Sequence, residues 1–232
     1  MYDIITLIVE DHDNFIHILA DRKRNEAFVV DPAWDAEGIR EVLAEENLTL
    51  TGILITHSHH DHVNAVPELY GERVSLFISE DEYPHWPDCP EDAILLSNGD
   101  AITFADTDIS VIKTPGHTPG SCCYRIGGDL ITGDTLFIYG CGRADLSGSD
   151  PHALYHSLQK LKTLPPETRL HVGHHYGIAE TGTLGEQLAG NPFLMIEDEA
   201  DFVRYRMELA GKTRHTPYGP ISRAELDAVL HG

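Results

Sequence analysis

Four histidines and one aspartate fall within six residues of the sequence, in the segment His57-Ser58-His59-His60-Asp61-His62. The continuous apolar run at 52–55, just before this segment, predicts a buried strand. In an extended loop after that strand, His57 and His59 point the same way, because alternate residues share a side. A helix that begins near Asp61 would turn the next ligands toward the same point. Imidazoles and carboxylates suit zinc, iron or manganese, so the segment predicts a metal site.

Three later residues, His117, Asp134 and His174, each follow a predicted strand and lie near glycine. Glycine permits the backbone turns and the close approach that a crowded site needs. A single histidine or aspartate after a strand is more often structural. These three residues therefore indicate a metal site only together with the cluster at 57–62. The combined set is large enough for two metal ions. The predicted metal ligands are His57, His59, Asp61, His62, His117, Asp134 and His174.

The elements that must position these residues are mostly strands. Apolar runs predict strands at 4–9, 14–20, 27–30, 52–55, 74–78, 107–112, 122–126, 130–132 and 169–172, the last clear one, with a turn at 11–14 between the first two. Amphipathic patterns predict helices at 35–46, 150–161, 197–209 and 222–230, and a capped helix start at 79–82. This order predicts an α/β fold in which two sheets pack together under a cover of helices. Because the β patterns stop near Asn191, we expect a catalytic domain at 1–190 and a helical extension at 191–232 that packs on it.

The ligand pattern, together with Asp31 in Val30-Asp31-Pro32, resembles that of the metallo-β-lactamase superfamily over roughly residues 1–178. The resemblance implies an αββα sandwich of two mixed β-sheets flanked by helices. It also implies that Asp31 orients ligands without binding metal. From their positions in the sequence, His60 and His175 are interpreted as spacers, with a supporting role behind the ligands as the alternative. One metal would bind His57, His59 and His117, the other would bind Asp61, His62 and His174, and Asp134 would bridge the two.

Within that superfamily, several segments are similar to those of glyoxalase II, the hydroxyacylglutathione hydrolases. They are Asp13-Asn14-Phe15, Gly133-Asp134-Thr135-Leu136-Phe137, Gly140-Cys141-Gly142-Arg143 and Gly173-His174-His175-Tyr176. The similarity implies hydrolysis of a thioester such as S-lactoylglutathione, with Arg143 and Tyr176 in contact with the glutathione part. Two metal ions, zinc by preference and otherwise iron or manganese, would lower the pKa of a bridging water to near neutral, and the hydroxide would attack the carbonyl. Asp61 and Asp134 would be catalytic, because they hold the metals and orient that nucleophile.

Three other functions stay open at this point. The segments at 142–145 and 183–193 are also similar to persulfide dioxygenases, which use one iron at positions that match His57, His117 and Asp134. Hydrolysis of a lactone or a lactam on the same metals is a second alternative. A metal-binding module without catalysis is the least favoured, because the ligands surround an open, glycine-lined rim. The residues that follow the His174 loop match the C-terminal domain of glyoxalase II poorly, which leaves the substrate open.

The charge of the chain favours a small-molecule substrate over a polymer. With 16 basic and 38 acidic residues, the net charge of −22 repels nucleic acid and anionic membranes. There is no apolar run long enough for a membrane span, and the N-terminus lacks a basic start followed by an apolar stretch, so we expect a cytoplasmic protein. The four cysteines form no C-x-x-C pair, and adjacent Cys122 and Cys123 would face opposite sides of a strand, so no disulfide framework is expected.

Basic residues are concentrated near the C-terminus, at Arg204, Arg206, Lys212, Arg214 and Arg223. One hypothesis is that this segment folds over the site and presents some of these charges to an anionic substrate. The competing interpretation is a solvated helix face and tail. Cys141 likewise has two interpretations, a small residue in a glycine-rich turn or a reactive thiol near the substrate.

Overall fold

The computed structural model describes residues 2–9 and 13–232, and within them the chain forms two mixed β-sheets of six strands each. The first sheet keeps the order of the sequence. Its first three strands pair antiparallel with one another, and the pairs from the third strand to the sixth are parallel. The strands are β1 (Tyr2–Val9), β2 (Asn14–Asp21), β3 (Glu26–Val30), β4 (Thr49–Leu54), β5 (Ser75–Ser79) and β6 (Ile94–Leu96).

The second sheet has the order β14-β13-β10-β9-β8-β7, and its only parallel pair within the described residues is β10 with β13. A turn at Asn98-Gly99-Asp100 carries the chain from the first sheet to the second. A small hairpin of β11 (Leu136–Phe137) and β12 (Gly140–Cys141) follows β10. The strands of the sheet are β7 (Ala101–Phe104), β8 (Thr107–Lys113), β9 (Cys122–Ile126), β10 (Asp129–Gly133), β13 (Arg169–Val172) and β14 (Thr181–Thr183).

The inner faces of the two sheets form one apolar layer. Phe28 of β3 contacts Phe77 and Phe104, with ring centroids 5.7 and 4.8 Å away. Tyr124 is fully buried in the same layer, and its hydroxyl donates to the carbonyl of Ile55 at 2.7 Å, which satisfies the polar atom. The expected sandwich of two sheets is therefore confirmed by the packing of their inner faces.

Helices cover the outer faces. On the first sheet lie α1 (Ala36–Glu45), α2 (His60–Val63) and α3 (Val66–Leu69), and α1 buries Ile39 and Leu43 under an N-terminal cap from Asp35. On the second sheet lies α4 (Pro151–Leu161), which begins after its cap Asp150 as predicted. The remaining helices are α5 (Leu184–Gly190), α6 (Pro192–Met195), α7 (Glu199–Arg204), α8 (Ala210–Thr213) and α9 (Arg223–His231). No helix in residues 2–9 and 13–232 has the length and apolar character needed to cross a bilayer.

The C-terminal helices share a core with the second sheet. Phe202 and Tyr205 are buried against Phe193, and the same apolar cluster contains Leu154 and Leu158 of α4. The proposed division into a domain at 1–190 and an extension at 191–232 stays a prediction, and this shared core is the contact through which the extension packs.

Three details of the predicted elements are wrong. Residues 79–82 begin no α-helix: β5 ends at Ser79, a turn follows, and the next helical residues form a short 3₁₀ turn, because Glu82 points inward. The strand at 169–172 is followed by β14, which pairs with it antiparallel. The helix predicted at 197–209 is interrupted by a π-helical turn at Tyr205–Leu209. Of the turn predicted at 11–14, residues 11 and 12 lie outside the described residues, and β2 begins at Asn14.

Candidate metal centre

The predicted ligands follow four strands at one edge of the sandwich, with Asp61 and His62 in α2 and the others in loops. The cluster at 57–62 follows β4, His117 follows β8, Asp134 follows β10 and His174 follows β13. The parallel pairing of β10 with β13 brings the carboxyl ends of these two strands together. The structure thus brings together side chains that are more than a hundred residues apart in the chain.

The first group consists of His57, His59 and His117, whose candidate ligand atoms all lie within 4.8 Å of one another. The Nδ1 atom of His59 is 3.0 Å from the Nε2 atom of His117, and the two rings are perpendicular. The Nε2 atom of His57 is buried and has no hydrogen-bond partner in the described part of the chain. Three imidazole nitrogens therefore face one small space.

The second group consists of Asp61, His62 and His174, and it meets the same 4.8 Å criterion. The Nε2 atoms of His62 and His174 are 3.2 Å apart, and Nε2 of His174 is 3.4 Å from Oδ2 of Asp61. Asp61 is the more exposed member, because its side chain keeps 37% of its accessible surface, whereas the two histidines are buried. This group opens toward solvent through the Asp61 carboxylate.

Asp134 lies between the two groups. Its Oδ2 is 3.4 Å from Nε2 of His117 and 3.5 Å from Nε2 of His174, and its Oδ1 is 3.4 Å from Nε2 of His62. The carboxylate therefore reaches nitrogens of both groups. Gly133, with φ +47°, and Gly173 make room here, because a Cβ on Gly173 would lie 2.5 Å from Oδ1 of Asp134.

The donor atoms fit metal ions better than they fit hydrogen bonds with one another. For a tetrahedral ion with nitrogen ligands at about 2.0–2.1 Å, neighbouring nitrogens lie about 3.3–3.4 Å apart, close to the separations of 3.0 and 3.2 Å here. The buried Nε2 of His57 and Oδ1 of Asp134 have no hydrogen-bond partner among the described residues, and such atoms are costly unless a ligand satisfies them. The set contains imidazoles and carboxylates and no thiolate, which suits zinc, iron or manganese.

Asp31 supports the site through the residues next to it. Its Oδ1 accepts the backbone N–H of Thr56 at 2.7 Å, and its Oδ2 accepts the Thr56 hydroxyl at 2.6 Å and contacts Nδ1 of His62 at 3.1 Å. Asp31 also lies within 4.8 Å of a ligand atom of His57. Asp31 therefore orients the ring of His62 through Nδ1 and leaves its Nε2 able to bind a metal ion.

Glu82 is a supporting residue that the sequence analysis missed. Its side chain is fully buried, and Oε1 accepts the N–H and the hydroxyl of Ser58 at 2.8 and 2.6 Å. Oε2 accepts the Thr118 hydroxyl at 2.7 Å and the N–H of Gly120 at 2.9 Å. One carboxylate therefore ties the loop of His57 and His59 to the loop of His117. No local pattern pointed to it, because residues 79–82 fit a helix start.

The electrostatics of the centre follow from burial and from two carboxylates. Burial lowers the pKa of His57 well below its usual value, and neighbouring imidazoles lower it further. Burial also opposes a charge on His174, yet Asp134 and Asp61 raise the pKa of His174 to about 10. For Asp61, burial is outweighed by His174 and His62, so its pKa falls to about 2. A cation that binds here competes with the proton on His174, and metal affinity therefore rises with pH.

The rim of the centre carries both residues that the glyoxalase II similarity pointed to. A cavity of about 180 Å³ over the ligands is lined by Arg143 and Tyr176 as well as by Phe137 and Leu146. Tyr176 stacks on His174 with ring centroids 4.7 Å apart and planes 2° apart, and Arg143 makes paired hydrogen bonds to Asp145 at 2.9 and 3.0 Å. Both side chains can therefore contact a molecule that is bound at the centre.

The two histidines interpreted as spacers lie away from the ligand groups. His60 packs against Trp34, with ring centroids 5.6 Å apart, and His175 packs against Phe15 at 5.2 Å. Neither is a member of a candidate metal group in the described part of the chain. They provide natural control positions beside His59, His62 and His174.

The cluster of basic residues near the C-terminus divides into two kinds. Arg204 and Arg223 donate to the carbonyls of Leu230 and Met195, so they join helices to one another. Arg206 and Arg214 instead line a small cavity together with Phe193 and Tyr218. Cys141 lies close to both, but burial raises the pKa of its thiol to about 12, which argues against a reactive thiolate.

Comparison with known proteins assigns the class. The profile of the metallo-β-lactamase superfamily matches residues 18–174, and the chain belongs to that superfamily. Over 83% of its length the chain is 35% identical to a probable polyketide biosynthesis zinc-dependent hydrolase of Bacillus velezensis, and the match spans 87% of that protein. It is 37% identical, over 71% of its length, to a hydroxyacylglutathione hydrolase of Pseudoalteromonas translucida, of which the match spans only 62%.

Solved structures agree with the sequence comparison. The crystal structure of ETHE1 from Myxococcus xanthus superposes with a TM-score of 0.80 at 26% identity, and the superposition covers 98% of this chain and 96% of that one. The similarity therefore includes the C-terminal helices. The expected superfamily and the similarity to hydroxyacylglutathione hydrolases are both confirmed.

Proposed function

We propose that this protein is a binuclear metallohydrolase that cleaves a thioester such as S-lactoylglutathione. The observation that carries the proposal is the position of Asp134 between two groups of three ligand residues, with its oxygens 3.4–3.5 Å from nitrogens of both. A carboxylate in this position can bridge two ions. The similarity to hydroxyacylglutathione hydrolases supports a thioester as the substrate.

The chain's own residues would divide the work as follows. His57, His59 and His117 would hold one ion, Asp61, His62 and His174 would hold the other, and Asp134 would contact both. The name of the Bacillus velezensis relative supports zinc, with iron and manganese as the other candidates. When bound, the ions supply an ionised water as the nucleophile and a Lewis acid for the carbonyl oxygen.

The two carboxylates differ in access to solvent, and this difference suggests different tasks. Asp134 is buried and would hold the two ligand groups at a fixed distance from each other. Asp61 is partly exposed beside Nε2 of His174, where its free oxygen can accept a hydrogen bond from the attacking water and orient it toward the substrate. Tyr176, held flat against His174, and Arg143 line the same cavity and would position the thiol part of the substrate.

Metal analysis of the purified protein, combined with two assays, tests the proposal. We expect two metal ions per chain and hydrolysis of S-lactoylglutathione. Replacement of His174 by alanine should abolish turnover and remove one of the two ions. The control His175→Ala, which changes the next residue in the sequence, should keep turnover and both ions. A single iron per chain with oxygen uptake on glutathione persulfide would overturn the proposal in favour of the dioxygenase alternative.

A further inference from the structure

A cavity lies between the helices α2 and α3 and the segment at 86–90 that follows β5, and it is named the Trp86 cavity here. Its volume is about 390 Å³, which falls in the range of pockets that bind small molecules. Three of its lining residues are polar, namely His60, Asn64 and Asp88. The other six are apolar or aromatic: Val63, Val66, Pro67, Tyr70, Trp86 and Pro90. The composition of the wall therefore suits a largely apolar ligand.

The Trp86 cavity and the metal centre meet at the start of α2. His59 and Asp61 line the cavity over the metal centre, and His60, which lies between them in the chain, lines the Trp86 cavity. Consecutive Cα atoms are only 3.8 Å apart, so the two cavities are close to each other at this point. His60 is exposed, and its ring is therefore accessible to a molecule that extends from the centre into the Trp86 cavity.

The positions of the lining residues separate the two halves of a bound thioester. Arg143 and Tyr176, which would contact the thiol part, come after β12 and β13, on the side of the second sheet. His59 and His60 instead come after β4 of the first sheet. The carbonyl carbon of a thioester carries the sulfur and the acyl chain as two separate substituents. With the sulfur on the side of the second sheet, the acyl chain extends toward His60 and the Trp86 cavity.

Trp34 adds an aromatic surface next to His60. Its backbone has a φ of +59°, a left-handed conformation that is unusual for a bulky residue and that occurs often at functional sites. Two hydrogen bonds hold the residue: its backbone N–H donates to Oδ1 of Asn64 at 2.6 Å, and its indole N–H donates to Oδ1 of Asn14 at 2.8 Å. Trp34 is nevertheless 38% exposed. The structure thus keeps an exposed aromatic residue beside the residue at which the two cavities meet.

The charges around the Trp86 cavity disfavour an anionic acyl group. Among the described residues, no lysine or arginine lines the cavity, whereas the carboxylate of Asp88 does. The chain as a whole has a net charge of −22. A substrate carboxylate that is buried here without a cation would be costly. The acyl group that fits is therefore a neutral, apolar chain.

We propose that the Trp86 cavity binds the acyl part of the substrate, and that the substrate is a thioester of a neutral alkanoic acid about as long as hexanoic or octanoic acid. The assignment to the substrate rests on the proposed thioester hydrolysis, whereas the affinity of the cavity for an apolar chain does not. A lactoyl group is short and polar, so S-lactoylglutathione would be hydrolysed without filling the cavity.

Binding is measured first, without turnover. The chain has two tryptophans, and both report on this region, because Trp86 lines the cavity and Trp34 contacts His60. Octanamide, a neutral alkyl probe, is titrated into the purified protein, and we expect a saturable change in intrinsic fluorescence. Pro67→Phe puts a larger side chain in the cavity wall and should weaken this binding about tenfold, which corresponds to about two buried methylene groups. Glu68→Phe adds the same ring at the next position, which does not line the cavity, and should leave binding unchanged.

Turnover then tests the substrate class. The value of kcat/KM is compared for the acetyl, butanoyl, hexanoyl and succinyl thioesters of glutathione. From acetyl to hexanoyl it should rise about fourfold for each methylene group that becomes buried. Pro67→Phe should remove most of this rise and leave the acetyl thioester unaffected. Asp88→Lys, at an exposed position, should raise kcat/KM for the succinyl thioester several-fold, because it replaces the carboxylate of the wall with a cation.

The outcomes separate the two proposals. A lack of saturable octanamide binding, or a kcat/KM that does not change with chain length, overturns the acyl site. A succinyl thioester that equals the hexanoyl thioester in the parent contradicts the neutral class of substrate. Binding of octanamide that Pro67→Phe weakens, without hydrolysis of any thioester, would instead contradict the proposed function and support the cavity as a site for apolar chains.

Discussion

The protein contains two clusters of buried histidine and aspartate, and they differ in how many of their polar atoms find a protein partner. At the metal centre, imidazole nitrogens face one another, and Nε2 of His57 and Oδ1 of Asp134 make no hydrogen bond within the described residues. In the second cluster, Asp129 is fully buried and accepts hydrogen bonds from Tyr2 at 2.6 Å and Arg169 at 2.8 Å, and it contacts His171 at 2.9 Å.

His17 completes the second cluster in the same manner. Its Nδ1 lies 3.0 Å from the hydroxyl of Thr6, and its Nε2 lies 2.9 Å from the carbonyl of Val172. Both ring nitrogens of His17 and Nε2 of His171 have a neighbour of opposite hydrogen-bonding character, so the second cluster is a structural network. The comparison teaches that residue type alone does not separate a binding site from a structural site, whereas unsatisfied hydrogen-bonding capacity does.

The largest expected effect comes from removing the bridging carboxylate. Asp134→Ala should lower kcat/KM for a thioester by about 10³-fold, because the Lewis-acid contribution of the ions is worth several kcal/mol. His60→Ala, which changes the cluster without touching a ligand atom, should stay within about twofold of the parent. Steady-state kinetics with metal analysis of both variants makes the comparison. Equal losses in both would show that the unsatisfied atoms do not mark the reacting centre.

The next effect comes from the buried support of that centre. Glu82→Gln replaces two of the acceptor positions of Glu82 with an amide donor, so it should loosen the tie between the two ligand loops. We expect metal affinity, measured by competition with a chelator, to fall about 10–100-fold, as is usual when a residue that orients ligands is changed. Glu80→Gln is the matched control, since Glu80 is an exposed carboxylate paired with Lys113. A Glu82 variant with unchanged metal affinity would show that Glu82 supports the fold alone.

The smallest effect concerns stability and tests the completed network. Burial, helped by His171, lowers the pKa of His17 from 6.5 to about 3. Below pH 6.5 the unfolded chain takes up a proton that the folded chain does not, so stability is complete above pH 6.5 and falls by about 1.4 kcal/mol per pH unit below it. Between pH 7 and pH 5 the free energy of unfolding should therefore drop by about 2 kcal/mol through His17.

Urea denaturation of the metal-free protein at both pH values measures this drop. His17→Gln keeps a donor and an acceptor but does not titrate, so its stability should fall less over the same interval. The difference between the two proteins in how the free energy of unfolding changes with pH is the contribution of His17. Asp61 and Asp129 do not contribute to it, because their pKa values of about 2 place their titration below this range. Identical slopes in the two proteins would mean that His17 is protonated in the folded state.

Much of the fold could be predicted from the sequence because its elements have clear local signals. The amphipathic pattern at 150–161 predicted α4, and the apolar run before His57 predicted β4. The errors arose where tertiary contacts overrode local preference. Residues 79–82 resemble a helix start, yet the structure uses Glu82 as a buried acceptor for two distant loops. The π-helical turn around Arg206 likewise has no signal in the pattern of apolar residues.

By itself, the sequence determined that a metal-binding cluster exists at 57–62, that the chain is of the α/β class, and that its charge disfavours nucleic acid as a partner. These conclusions depend on residue type and short spacing, which are local properties. Only the tertiary structure decided which distant residues complete the centre, which buried histidines stay structural, and which arginines face a cavity. Those outcomes depend on whether each polar atom finds a partner, and partners come from segments that only folding brings together.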